Sequence, residues 1–127
     1  MTQSLKVRKF LVFAGIAAIA NSIIFLIAKS ADATMVVNQG GSQEIALPMV
    51  FASTFFGLLV AAFAASKIGK KSQSFLSKSS TVGLIFGVVT AAAPFSASDD
   101  SKTAFALASM HVVAGVTWYF GAKRSIK

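Results

Sequence analysis

Cysteine is absent from this 127-residue chain, which excludes disulfides, thiolate catalysis, iron–sulfur clusters and dithiol redox relays. Histidine occurs once, at His111, so two axial imidazoles for a haem would need a second copy of the chain; no cofactor and no metal are expected. Acids are scarce: four Asp and Glu stand against twelve Lys and Arg, and none of the four falls in an apolar stretch. Paired carboxylates, a Ser–His–Asp set and a phosphate-cradling glycine loop are all missing, so the chain does not read as an enzyme. The net charge of +8 does not point to nucleic acid either. The basic residues flank apolar runs instead of lining a polar face with stacking aromatics.

What the chain has in excess is apolar surface, with 55% of its residues hydrophobic. A soluble domain of this size would leave much of that facing water. Charges cluster and leave four uncharged runs, at about residues 10–28, 45–66, 81–98 and 103–122. At about 1.5 Å per residue each comes close to or exceeds the roughly 30 Å of a bilayer's hydrocarbon layer. Unpaired backbone groups are not tolerated in lipid and four strands cannot close a barrel, so the runs must be helices. The expectation is a single all-α domain over residues 1–127, an integral membrane four-helix bundle. Pro48 sits in the first turn of span two, where a missing N–H is harmless.

Direction follows from the basic residues. Lys6, Arg8 and Lys9, then Lys67, Lys70, Lys71 and Lys78, then Lys123, Arg124 and Lys127 share one side. The other side has only Lys29 and Lys102, together with Asp32, Glu44, Asp99 and Asp100. Both termini are therefore expected in the cytoplasm of a bacterium, with the protein multi-pass in the inner membrane. The lysine-rich start, an apolar run and Ala31-Asp32-Ala33 also outline a secretory signal, but the run exceeds the usual 7–15 residues. On the outer side, "MVVNQGGSQE" suggests a small hairpin or a cap over the bundle. On the inner side, the serine-rich, basic "KIGKKSQSFLSKSS" is expected as a loop along the anionic leaflet. Asp100 or Ser101 is placed to cap span four, and Trp118 and Tyr119 to form an interfacial belt.

Helices in lipid associate by close approach and by occasional polar contacts. Each span has small residues at four-residue spacing: Ala14 and Ala18 (then Ser22); Ser53, Gly57, Ala61 and Ala65; Gly83, Gly87 and Ala91; Ala104 and Ala108, then His111 and Gly115. Asn21, Ser53, Thr90 and His111 all fall roughly 10–12 Å below the outer boundary, by helical rise. Pro94 removes the N–H that would bond the Thr90 carbonyl, and kinks span three. These residues predict one polar layer in which His111 or Asn21 donates to that carbonyl. The layer reads first as structural glue, since Ser and Thr commonly bond back to their own helix and Asn–His contacts tie helices together. A ligand site at Asn21, Ser53, Thr90 and His111 is the alternative. A proton-coupled exporter of the small multidrug resistance kind is disfavoured, because no span carries a carboxylate.

The stretches "ANSIIFLIAKSAD", "AAAPFSAS" and "ALASMHVVAG" give the chain a resemblance to a family of small four-span membrane proteins of unassigned function found in actinobacteria. Members are similar in a Pro-x-Ser element before a span with a Met-His pair, here Pro94, Ser96, Met110 and His111. The lysine- and serine-rich inner loop departs from the arginines more typical there. The resemblance implies the architecture and no activity. The leading expectation is a non-enzymatic membrane protein that packs against a partner membrane protein or a second copy, in contact with lipid and not with nucleic acid. The alternative is a binder or carrier of a small lipophilic molecule or ion at the Asn21–Thr90–His111 layer.

Overall fold

Four long helices follow the four apolar runs in the computed structural model, which describes residues 3–126. They are α1 (Val7–Ser30), α2 (Leu47–Lys71), α3 (Gln73–Thr90) continued by the short α4 (Ala93–Ala97), and α5 (Ser101–Ser125). Each of the four is long and apolar enough to cross a membrane, α3 and α4 counting together. Between α1 and α2, β1 (Val36–Asn38) pairs antiparallel with β2 (Ser42–Glu44), closed by Gly40 and Gly41 at φ 75° and 148°. Glycine suits both turn positions, because other residues rarely adopt these angles.

The helices outrun the apolar stretches that nucleate them. The expected loop along the inner leaflet is helix instead: α2 continues through Lys67, Lys70 and Lys71, and Ser72 alone separates it from α3. Two local causes combine. The Ser72 hydroxyl caps α3 by accepting from the Phe75 N–H at 3.2 Å, and lysines in a last turn complement the helix dipole. Span three, by contrast, is interrupted. Pro94 cannot continue the hydrogen-bond ladder, so α3 stops at Thr90 and α4 resumes after a two-residue turn.

The interior is built from small residues and the exterior from large ones. On α1, Ala14, Ala17, Ala18 and Asn21 are buried, while Val12, Ile16, Ile19, Ile23 and Ile27 form an exposed row at helical spacing. Phe56, Val60, Phe63, Ile85, Phe86, Val89, Phe105 and Phe120 are exposed on the other helices. A water-soluble bundle buries such side chains. α3 and α5 cross where Gly87 meets Gly115; a Cβ on Gly87 would lie 2.7 Å from the Gly115 Cα. One turn away, Gly83 makes room for the Trp118 indole. Trp118 is therefore not in an interfacial belt. It is buried, donates from Nε1 to the Ser79 carbonyl at 2.8 Å, and stacks at a tilt on Phe10, 5.1 Å between centroids. An indole reaches the interior here because the glycine opposite leaves a slot and a backbone carbonyl satisfies its N–H. Tyr119 stays partly exposed, with the Lys123 ammonium over its ring at 4.3 Å.

Both ends are tied by backbone and polar contacts. At the termini end, Leu5 bridges Ile126 and the Lys6 N–H donates to the Ser125 carbonyl at 2.7 Å. At the hairpin end, Asp100 caps α5, accepting from the Thr103 hydroxyl at 2.7 Å and from the Thr34 N–H at 2.9 Å. These bonds, the hydroxyl foremost, hold the Asp100 carboxyl below its usual pKa. Thr103 in turn accepts from the N–H of Met35, which is fully buried in the left-handed region at φ 55°. Ser98 donates to the Val36 carbonyl at 2.9 Å. The hairpin is thus fastened to the start of α5.

Candidate functional site: a cleft between α2 and α4

The packing of the helices is uneven, and a cleft is the consequence. α1 packs along α2 and α5, and α5 along α3. α2 and α3 meet at their shared turn, where Leu76 covers Gly69. Toward the hairpin end α2 parts from α4, leaving a cleft of about 550 Å³. Its α2 wall is Met49, Val50, Ser53, Thr54, Gly57 and Leu58; its opposite wall is Ala93, Pro94 and Ala97 with Leu107, Met110, His111 and Ala114 of α5. Asn21 lies at its base, and Val37, Gln39, Gln43 and Ile45 of the hairpin segment roof it. The lining contains no Asp, Glu, Lys or Arg.

Two hydrogen-bonded pairs meet the cleft. Asn21, 2% exposed, donates from Nδ2 to the Thr54 hydroxyl at 3.0 Å and to the Met110 carbonyl at 3.4 Å. Its Oδ1 is buried and has no partner among the described residues. Across the cleft, His111 Nδ1 lies 3.1 Å from the Thr90 hydroxyl, which itself donates to the Phe86 carbonyl of its own helix at 2.7 Å. The polar layer is therefore two separate pairs. The contact expected at the Thr90 carbonyl is made at its hydroxyl instead, because χ1 of a helical threonine turns Oγ1 back over the preceding turn. Asn21 bonds α2 and α5 and does not reach Thr90. Ser53 donates to the Val50 carbonyl at 3.3 Å and lines the cleft without joining either pair.

The small-residue rows have different fates. Ala14 and Ala18 are fully buried, and Gly83, Gly87 and Gly115 face neighbouring helices at close range. Gly57 and Ala61 are exposed, and a Cβ at Gly57 would meet nothing within 4 Å. Helix α2 turns Val50, Ala62, Ala65 and Gly69 inward, with Thr54 half-buried along the same row. That row is one residue out of phase with Ser53–Gly57–Ala61, a rotation of about 100°. Sequence reasoning missed Thr54 because it followed the small residues. The signal was there: Val50, Thr54, Leu58, Ala62 and Ala65 recur at helical spacing and are mostly apolar.

Chemically the site offers uncharged donors and acceptors in an apolar groove. No group of three or more His, Asp or Glu placed to hold a metal ion occurs among the described residues. The model of a family described as "Family of unknown function (DUF6069)" matches residues 2–127. No curated protein matches, and no solved structure matches.

Proposed function

The chain belongs to this family of unknown function, and on that footing we propose that it is a multi-pass membrane protein whose working part is the cleft, a receptor site for small lipophilic molecules. The exposed rows of Val, Ile and Phe on all four helices support insertion, since water-soluble monomers rarely expose contiguous apolar patches beyond a few hundred Å². The basic residues at the termini end and the acids at the hairpin end support a cytoplasmic-membrane orientation with both termini inside.

The observation that carries the binding reading is the cleft itself. Glue would fill the Asn21 and His111 level with protein; here a space of about 550 Å³ reaches both residues. That volume is within the roughly 300–1,000 Å³ of small-molecule sites, and its walls follow their pattern of many apolar groups and a few convergent polar ones. The few polar groups of these walls, Ser53, Thr54 and His111, are set among apolar side chains as in a binding site, and binding is the reading proposed. On this reading a ligand enters the cleft from the bilayer, between α2 and α4.

The test is saturable photolabelling of the full chain in phospholipid vesicles by a diazirine-bearing dodecyl probe. Labelling should map to α2, α4 and α5 at the cleft and vanish in Gly57→Phe, which adds a ring to the cleft wall at a position where a Cβ meets nothing within 4 Å. A second reading rests on the open Ser53–Gly57–Ala61 row, which would admit a helix of a partner or of a second copy. In that case Gly57→Phe dissociates an oligomer and unfilled vesicle probe never labels the cleft saturably.

A further inference from the structure

We infer that the cleft selects a neutral lipophile with a hydroxyl head group, read by His111 as a hydrogen-bond acceptor. This rests on the binding reading above and adds the chemistry of the ligand. The argument begins at Thr90. Its Oγ1 and the Phe86 carbonyl oxygen are 2.7 Å apart, and a carbonyl has no proton to give. The threonine proton therefore lies between those two oxygens. Oγ1 is left only as an acceptor, so the contact with His111 Nδ1 at 3.1 Å uses a proton carried by that ring nitrogen. A neutral imidazole with its proton on Nδ1 has a bare lone pair on Nε2. Nε2 has no partner among the described residues, and His111 lines the cleft.

The opposite wall is complementary. Thr54 Oγ1 accepts from Asn21, and its own proton has no acceptor among the described residues. Behind it, Asn21 Oδ1 is buried and has no partner among the described residues. The cleft thus presents an acceptor on α5 and a donor on α2. A hydroxyl gives a proton and takes one, and so matches both kinds. An ammonium or a carboxylate does not fit, because no side chain of opposite charge lines the cleft and an unpaired charge in an apolar groove is costly. An ether or ester head group supplies no proton for Nε2.

The experiment compares dodecanol with dodecyl methyl ether as competitors of the photoprobe, using the full chain in phospholipid vesicles. Dodecanol should compete about five- to tenfold better, the size of one added hydrogen bond. In ¹⁵N-histidine spectra the free protein should show the Nδ1–H tautomer, and dodecanol but not the ether should move the Nε2 resonance. His111→Phe should equalise the two competitors. Thr90→Val should shrink the preference by releasing the tautomer, with helix content unchanged. Equal competition by alcohol and ether in the wild type overturns the hydroxyl inference and leaves the binding reading standing. Loss of saturable labelling by any dodecyl chain overturns both. A full preference retained in Thr90→Val overturns the tautomer argument on which the inference depends.

Discussion

Replacing Gly87 by alanine tests the helix crossing that shapes the whole bundle. The added Cβ would lie 2.7 Å from the Gly115 Cα, 2.9 Å from the His111 carbonyl oxygen and 3.1 Å from the Gly115 nitrogen. Carbon atoms rest at about 3.5–4.0 Å, so α3 and α5 must separate by roughly 1 Å. All three obstacles are backbone, so no side chain can swing away. Overpacking of this kind costs about 1–3 kcal/mol, and alanine returns about 1 kcal/mol of helix propensity. Gly57→Ala is the control. It gains the same propensity and meets nothing within 4 Å, so the difference between the two variants isolates the crossing. That difference should be about 1–3 kcal/mol by reversible unfolding in mixed detergent micelles, followed by circular dichroism. Gly115→Ala, with its nearest obstacles at 3.2 and 3.3 Å, should fall between them. If Gly87→Ala and Gly57→Ala unfold at the same detergent fraction, the close crossing does not exist.

Trp118→Phe removes the bond to the Ser79 carbonyl and should lower stability by about 1 kcal/mol or more in the same assay, whereas Tyr119→Phe should change it by a few tenths. A double-mutant cycle of Asn21→Ala with Thr54→Ala should show coupling of about 0.6–1 kcal/mol, while Asn21→Ala with His111→Ala should be additive, because the two pairs share no atom. Asp100 ionises more readily in the folded state, so its contribution to stability is complete above the unfolded pKa of about 3.9 and is lost as pH falls through the lower folded value. Melting temperature should therefore drop on acidification below about pH 4, with a smaller acid-dependent fall in Asp100→Asn.

The elements that follow from one-dimensional pattern were legible in advance. Uncharged runs about as long as the hydrocarbon layer is thick gave four helices, and the apolar "MVV" before Gly40 and Gly41 gave a hairpin. The Asp100 cap followed from an acid one residue before an apolar helical run. What stayed hidden depends on rotation of helices about their own axes. In α2 two rows compete for the interior, and composition favoured Ser53, Gly57 and Ala61 over Val50, Thr54 and Leu58. The sheer abundance of alanine and glycine made that choice unreliable. Trp118 was misplaced for a related reason: its depth in the sequence matched an interface, but Gly83 on another helix opened a slot for it. Asn21, Ser53 and His111 do line one cleft, and Thr90 bonds His111, but the pairing differs from the expected one, because pairing comes from side-chain torsions that residue counting does not give.

The tight crossing and the open cleft have one origin. Gly83 and Gly87 let α3 lie close on α5, which draws it away from α2 at the hairpin end, and Pro94 breaks the helix between α3 and α4 just beyond. Pro94 is buried and lines the cleft. Replacing it with alanine restores an N–H that can bond the Thr90 carbonyl, and the α3–α4 break loses its cause. Phe95 packs edge-on against Phe105 at 5.1 Å and Ser98 holds Val36, so the far end of α4 stays attached to α5 and the hairpin. Straightening must then be taken up at residues 91–93, which changes the cleft wall opposite Ser53 and Gly57. Pro94→Ala should accordingly raise helicity by circular dichroism and weaken saturable dodecyl labelling several-fold, with the Asn21–Thr54 coupling unaltered. Higher helicity with labelling unchanged would mean that the proline bends the helix without shaping the cleft.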